Sequence, residues 1–111
     1  MSDPEKMREE AQKLASSGGG FFSKLFGGGN KLDEACELYT QAGSRFKIGQ
    51  KWGSAGECYE TAADIQLSKL ENKHEAAQNL VEAGNCFRKA EPKRAADCLA
   101  QAIEVYIDLG R

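Results

Sequence analysis

The sequence is poor in proline, histidine and tryptophan, with two, one and one in 111 residues. So few prolines leave long stretches free to be helical. With His74 as the only imidazole, a mixed Cys/His metal site lacks partners. Long apolar runs are missing too: nothing approaches the ~18 residues that a membrane-spanning helix needs, and mean hydropathy is −0.57. A basic excess is absent, with Lys+Arg 15 against Asp+Glu 17 and a net charge of −2, which argues against general nucleic-acid binding. Cys36, Cys58, Cys86 and Cys98 are separated by 22, 28 and 12 residues, so no close Cys pair is present to start a structural zinc site. No secretory pattern opens the chain at Met1-Ser2-Asp3-Pro4-Glu5, so a cytosolic protein with reduced, buried or half-buried thiols is expected. The glycine runs lack the Lys-Ser/Thr of a phosphate loop, and there is no HExxH or nucleophile–base arrangement. No catalytic residue, cofactor site or metal ligand is assigned, and an enzyme is not expected.

What is present divides the chain in three. Half of the twelve glycines lie between Gly18 and Gly29. Residues 1–16 read as a helix: Ser2 and Glu5 have capping-box spacing, Pro4 suits a first turn, and Met7, Ala11 and Leu14 form a thin apolar stripe. Residues 17–30 are a glycine-rich apolar loop, and residues 31–111 read as successive helices.

Those helices carry an internal repeat. Alanine, a large residue four later and alanine three after that recur as Ala35-Tyr39-Ala42, Ala55-Tyr59-Ala62, Ala76-Leu80-Ala83 and Ala95-Leu99-Ala102. A further step of four reaches Phe46, Gln66, Phe87 and Tyr106, with Gln66 breaking an otherwise aromatic position. The spacing places each set on one helix face, small residues allowing close approach and large ones filling the gaps. The sets start 20, 21 and 19 residues apart, which leaves only short turns between antiparallel neighbours. Alternate helices match best: Gln41–Lys47 echoes Glu82–Arg88, so the unit is a helical hairpin of about 40 residues. The fold predicted from the repeat is an all-α, right-handed-type solenoid of two hairpins after a leading helix, an incomplete array whose unit is longer than a standard tetratricopeptide repeat and close to the longer helical-repeat classes. Asn30 and Asn72 are expected as N-caps, Pro92 in a first turn, and Gly49 and Gly110 as left-handed C-caps.

Between the glycine triplets, Phe21-Phe22-Ser23-Lys24-Leu25-Phe26 puts four large apolar side chains in six residues. Three readings are open. The loop dips into a membrane interface with Lys24 meeting lipid phosphate, folds back on the array as a plug, or enters a partner's groove as a short helix. Full burial of one such side chain is worth about 1.5–3 kcal/mol, so membrane binding by one copy is weak and reversible. Lys47 and Lys51 flank one turn and Arg88-Lys89 with Lys93-Arg94 another, either a basic strip for an acidic partner or ordinary solvated helix ends. His74 is read as a surface residue and Trp52 as core.

These residues resemble the soluble NSF-attachment proteins of the α/β type. Phe21–Gly28 is similar to that family's FFSxLFGG membrane-attachment loop, Glu34–Tyr39 to its EEACEIY, Ala83–Ala90 to its AGNAFKKA, and Ala102–Arg111 to its AIEIYTDMGR. The γ type lacks the loop. The resemblance implies a tetratricopeptide-like helical-hairpin solenoid, a right-handed twisted sheet of antiparallel helices, and a non-enzymatic adaptor of membrane fusion that binds the SNARE four-helix bundle, syntaxin-type helices included. It recruits an NSF-type AAA+ ATPase for disassembly in vesicle transport. It implies Phe21, Phe22, Leu25 and Phe26 at the membrane and Arg88 and Lys89 as a basic SNARE-facing pair, to which the charge pattern adds Lys47 and Lys51. It implies no cofactor and a cytoplasmic, peripheral-membrane location. One residue more than the family pattern between Ala63 and His74 leaves the register of Gln66 open. The family is nearly three times as long, and its C-terminal ATPase-stimulating region is not among these residues, so no stimulation of ATP hydrolysis is expected. The alternative is a general helical-repeat scaffold whose phenylalanine loop docks a partner or packs on its own core.

Overall fold

The computed structural model describes residues 3–18 and 29–111. Five helices follow one another: α1 (Pro4–Gly18), α2 (Gly29–Ile48), α3 (Trp52–Ser68), α4 (Lys73–Phe87) and α5 (Pro92–Leu109). No strand occurs among the described residues. Each helix packs chiefly on its neighbour in the chain, α1 on α2, α2 on α3, α3 on α4 and α4 on α5. The turns after α2, α3 and α4 are only a few residues long, so successive helices run antiparallel. The result is a slab with principal extents of 42 × 41 × 18 Å. This is the expected tetratricopeptide-like array of helical hairpins, extended at one edge by α1.

The repeat supplies the core. Ala35, Ala42, Ala55, Ala62, Ala76, Ala83, Ala95 and Ala102 are all buried, as are Tyr39, Tyr59 and Leu80. Close approach has a visible cause in three glycines. A Cβ on Gly43 would stand 2.9 Å from the Tyr59 ring, one on Gly56 2.7 Å from Phe87, and one on Gly84 2.7 Å from Leu99. Each interior interface thus has a glycine on one helix receiving a large side chain from the next. Gln66 occupies the core position of the aromatics it replaces, 4 % exposed. Its amide donates to Glu75 at 3.2 Å and accepts from Asn79 at 2.8 Å, so the polar group is satisfied.

The helix ends follow the expectations in part. Asn72 accepts from the Glu75 amide and Pro92 opens α5. At α1 it is Asp3 that accepts from the Glu5 amide, at 3.0 Å, while Ser2 lies outside the described residues. Asn30 falls inside α2 rather than ahead of it, because α2 begins at Gly29. Neither Gly49 nor Gly110 is left-handed. Gly110 has φ −79, and after α2 it is Gln50 that takes φ 61, one residue beyond Gly49. The Lys51 amide then closes back on the Phe46 carbonyl at 2.8 Å, the six-residue loop of a Schellman turn.

Candidate functional site

Antiparallel order sorts the connections onto two edges of the slab. One edge gathers the start of α1, the 49–51 turn and the 88–91 turn. The other gathers the end of α1, the start of α2, the 69–72 turn and the end of α5. Side-chain contacts confirm the pairing: Arg8, near the start of α1, lies 5.1 Å from the Phe46 ring near the end of α2, and Lys73 pairs with Asp108.

Lys47, Lys51, Arg88 and Lys89 all fall on the first edge. Lys47 bridges α2 to α4 through Glu82 at 3.1 Å, and the hydrogen bond to that carboxylate holds its pKa above the ordinary lysine value. The Lys89 ammonium sits 4.3 Å from the Trp52 ring centre, joining the two turns. Trp52 is half-buried against the core, as expected, and also serves as this platform. Lys51 and Arg88 are exposed and make no ion pair among the described residues. They are the two charges of the four most open to a partner. Phe21, Phe22, Leu25 and Phe26 lie outside the described residues, but Gly18 and Gly29, which bound their segment, stand on the opposite edge. Helix α2, 20 residues long, separates the edges by about 30 Å.

Arg94 departs from the basic strip into which its sequence position placed it. Its guanidinium lies 4.2 Å from the Phe87 ring and meets Glu60 at 2.6 Å, Glu91 at 3.3 Å and Glu57 at 3.4 Å. Burial pulls its pKa down, but the hydrogen bond to Glu60 and its neighbours outweigh that and leave it raised. Glu57 also meets Arg8 at 3.6 Å. A charge ladder therefore crosses α1, α3 and α5 on one face of the slab. The ion pairs that join its helices link residues 34 to 49 apart in sequence and share no motif, which is why pattern reading missed it.

Between α2 and α4, over α3, lies a polar cleft of about 320 Å³ lined by Asp33, Glu37, Thr40, Gln66, Glu75 and Asn79 among others. Three of these are carboxylates, so this cleft contrasts with the basic edge. The four cysteines are buried and unpaired. Burial pushes the thiols of Cys36 and Cys58 up to about 11, and burial with nearby Glu60 pushes Cys98 up to about 12. Such thiols stay protonated and unreactive at neutral pH. His74 is exposed and lies within hydrogen-bond reach of Gln78, one turn on in α4. Among the described residues no group of His, Cys, Asp or Glu is arranged to hold a metal, and no helix is long and apolar enough to cross a membrane.

Comparison with known proteins bears on this arrangement directly. The family model described as soluble NSF attachment protein matches residues 2–111. The human alpha-soluble NSF attachment protein is 46% identical over 102 residues, covering 92% of this chain and 34% of the relative. The beta-soluble NSF attachment protein of Bos taurus is 40% identical over 106 residues, covering 96% and 35%. A vesicular-fusion protein of Komagataella phaffii is 39% identical over 107 residues, covering 96% and 36%. The chain spans about a third of the length of the curated relatives it matches. A match this long, over an array whose core and helix interfaces follow from the same residues, shows that the chain belongs to the soluble NSF attachment protein family.

Proposed function

We propose that this chain works as part of a SNARE-disassembly adaptor in vesicle fusion. Its basic edge lies against the SNARE four-helix bundle, and Phe21, Phe22, Leu25 and Phe26, in the segment bounded by Gly18 and Gly29, touch the membrane. The reading rests on the family match over residues 2–111, together with the gathering of Lys47, Lys51, Arg88 and Lys89 on one edge. Recruitment of an NSF-type AAA+ ATPase belongs to the assembled adaptor, and no residue of this chain is assigned to it. The role is one of binding, without catalysis, at the cytosolic face of a membrane.

Exposed charges contribute mainly long-range attraction, which salt screens within about 8–10 Å at physiological strength. Lys51 and Arg88 supply that attraction, while Lys47 and Lys89 are already held by Glu82 and Trp52. The test is a pull-down of this chain on an assembled SNARE bundle, beside the separate SNARE strands, across a salt series. Bundle-selective binding that weakens with salt, and weakens further in Lys51→Glu with Arg88→Glu, is expected. Binding indifferent to both substitutions would remove the basic edge from the contact and leave the general-scaffold alternative.

A further inference from the structure

Helix α2 ends on an isoleucine that the core does not use. Ile48 is 82% exposed, more than any other large apolar residue among the described ones. Helix geometry accounts for this. Phe46 is buried, and a step of two residues on a helix turns the side chain about 200° away, toward the outer surface. A single exposed isoleucine is ordinary on a protein surface; its setting is what marks this one. Ile48 stands on the same edge as Lys51 and Arg88, and Lys47 precedes it in the chain. Arg45, one turn earlier on the same helix face, is exposed and makes no ion pair among the described residues. Ile48 and Arg45 line an open groove of about 470 Å³ along α2, together with Ser44 and Tyr59.

We infer that Ile48 is the apolar anchor of the basic edge, packing on an apolar side chain at the surface of an acidic helix that Arg45, Lys51 and Arg88 attract. The inference rests on reading that edge as the contact with the SNARE bundle. Charge decides the kind of partner. Glu82 and Glu91, the carboxylates beside these turns, are already engaged by Lys47 and Arg94. The charges left open around Ile48 are therefore positive, and they select an acidic surface. A lipid surface fits less well, because one isoleucine offers a bilayer little apolar area where interfacial binding takes a whole helix face or a lipid chain. The two kinds of contact differ in their response to salt. Attraction between exposed charges fades as salt screens it, whereas burial of an apolar side chain does not depend on charge. The cations thus speed encounter, and Ile48 slows release.

The test is the affinity of this chain for an assembled SNARE bundle, read by fluorescence anisotropy across a salt series. Ile48→Gln should weaken binding about tenfold at every salt concentration and leave the salt slope unchanged. Lys51→Glu with Arg88→Glu should flatten the slope. Ile48→Met, which keeps an apolar side chain of similar volume, should bind close to the original chain. Circular dichroism should be the same for all of them, since the positions are exposed. If Ile48→Gln binds as tightly as the original chain while the charge pair still alters the slope, the inference is overturned and the basic-edge reading stands. Bundle binding indifferent to both substitutions, or absent in the original chain, overturns both together. If Ile48→Gln instead loses flotation on anionic liposomes and keeps its bundle binding, the isoleucine belongs to a membrane contact and the inference is overturned.

Discussion

Two glycines of α3, three residues apart, differ in what surrounds them. A Cβ on Gly53 would meet only the Ala90 methyl at 3.9 Å, an ordinary contact. A Cβ on Gly56 would meet three atoms of the buried Phe87 ring within 2.8 Å. Alanine is the better helix former by about 1 kcal/mol, so Gly53→Ala should raise the melting temperature. At Gly56 the same gain is opposed by overpacking of about 1–3 kcal/mol, so Gly56→Ala should lower it, as thermal circular dichroism would show. The buried thiols set a pH limit at the same scale. Folded Cys36, Cys58 and Cys98 titrate at about 11, about 11 and about 12, above the free thiol near 9. The folded state thus holds protons that the unfolded chain releases, and stability present below about pH 9 falls as pH rises through the folded values. Urea denaturation midpoints should drop between about pH 9 and 11, and serine at Cys58 should flatten the drop. The alanine positions of the core, with Phe46 and Phe87, were legible because they recur, whereas Tyr106, at the same phase of α5, is 42% exposed. The left-handed sites were not. The Gly rule pointed to Gly49 and Gly110, while Gln50 with φ 61 and Glu71 with φ 52 take that conformation. The length of each turn decides which residue must reverse the chain, and at these two it outweighs the glycine preference.

Helix α1 sits at the edge of the array and among the described residues packs chiefly on α2, and three kinds of contact hold it. Met7 and Ala11 bury against α2, Arg8 lies over Phe46, and Arg8 reaches Glu57 on α3. The apolar part was readable from the Met7-Ala11 stripe; the arginine part was not, since Phe46 and Glu57 are distant in sequence. The exposed ion pair is worth at most about 1 kcal/mol, so burial of Met7 dominates. Met7→Asp should therefore release α1 while α2 to α5 remain folded. Hydrogen exchange read by mass spectrometry should show protection lost over residues 4–15 and kept over 73–87. Loss of protection throughout would mean instead that α1 is needed for the whole array. Gln66 shows the reverse limit of pattern reading: its phase was correct despite the break, but its reason, a hydrogen-bonded seat between Glu75 and Asn79, required α4 to be in place.

At the scale of the whole molecule, antiparallel topology turns sequence neighbours into opposites. Gly29 and Lys47 lie on one helix and yet stand on different edges, about 30 Å apart. Lys47 and Arg88, 41 residues apart in sequence, share an edge. The repeat made this partition legible in outline, because an even number of helix reversals returns the chain to the same edge. It did not show which charges are already engaged, and Arg94 turned out to be held by three carboxylates. If the basic edge meets SNARE helices and the phenylalanine segment meets lipid, the two activities should separate cleanly. Phe21→Ser with Phe22→Ser should abolish flotation with liposomes and leave bundle pull-down in detergent-free solution unchanged. Lys51→Glu with Arg88→Glu should do the converse on neutral liposomes, where charge gives the membrane no hold. On liposomes that carry SNARE bundles each pair of substitutions should weaken binding, because two weak contacts made by one chain gain by acting together. A phenylalanine variant that lost bundle binding in solution would show that the segment supports the array itself, and the plug reading would replace the membrane one.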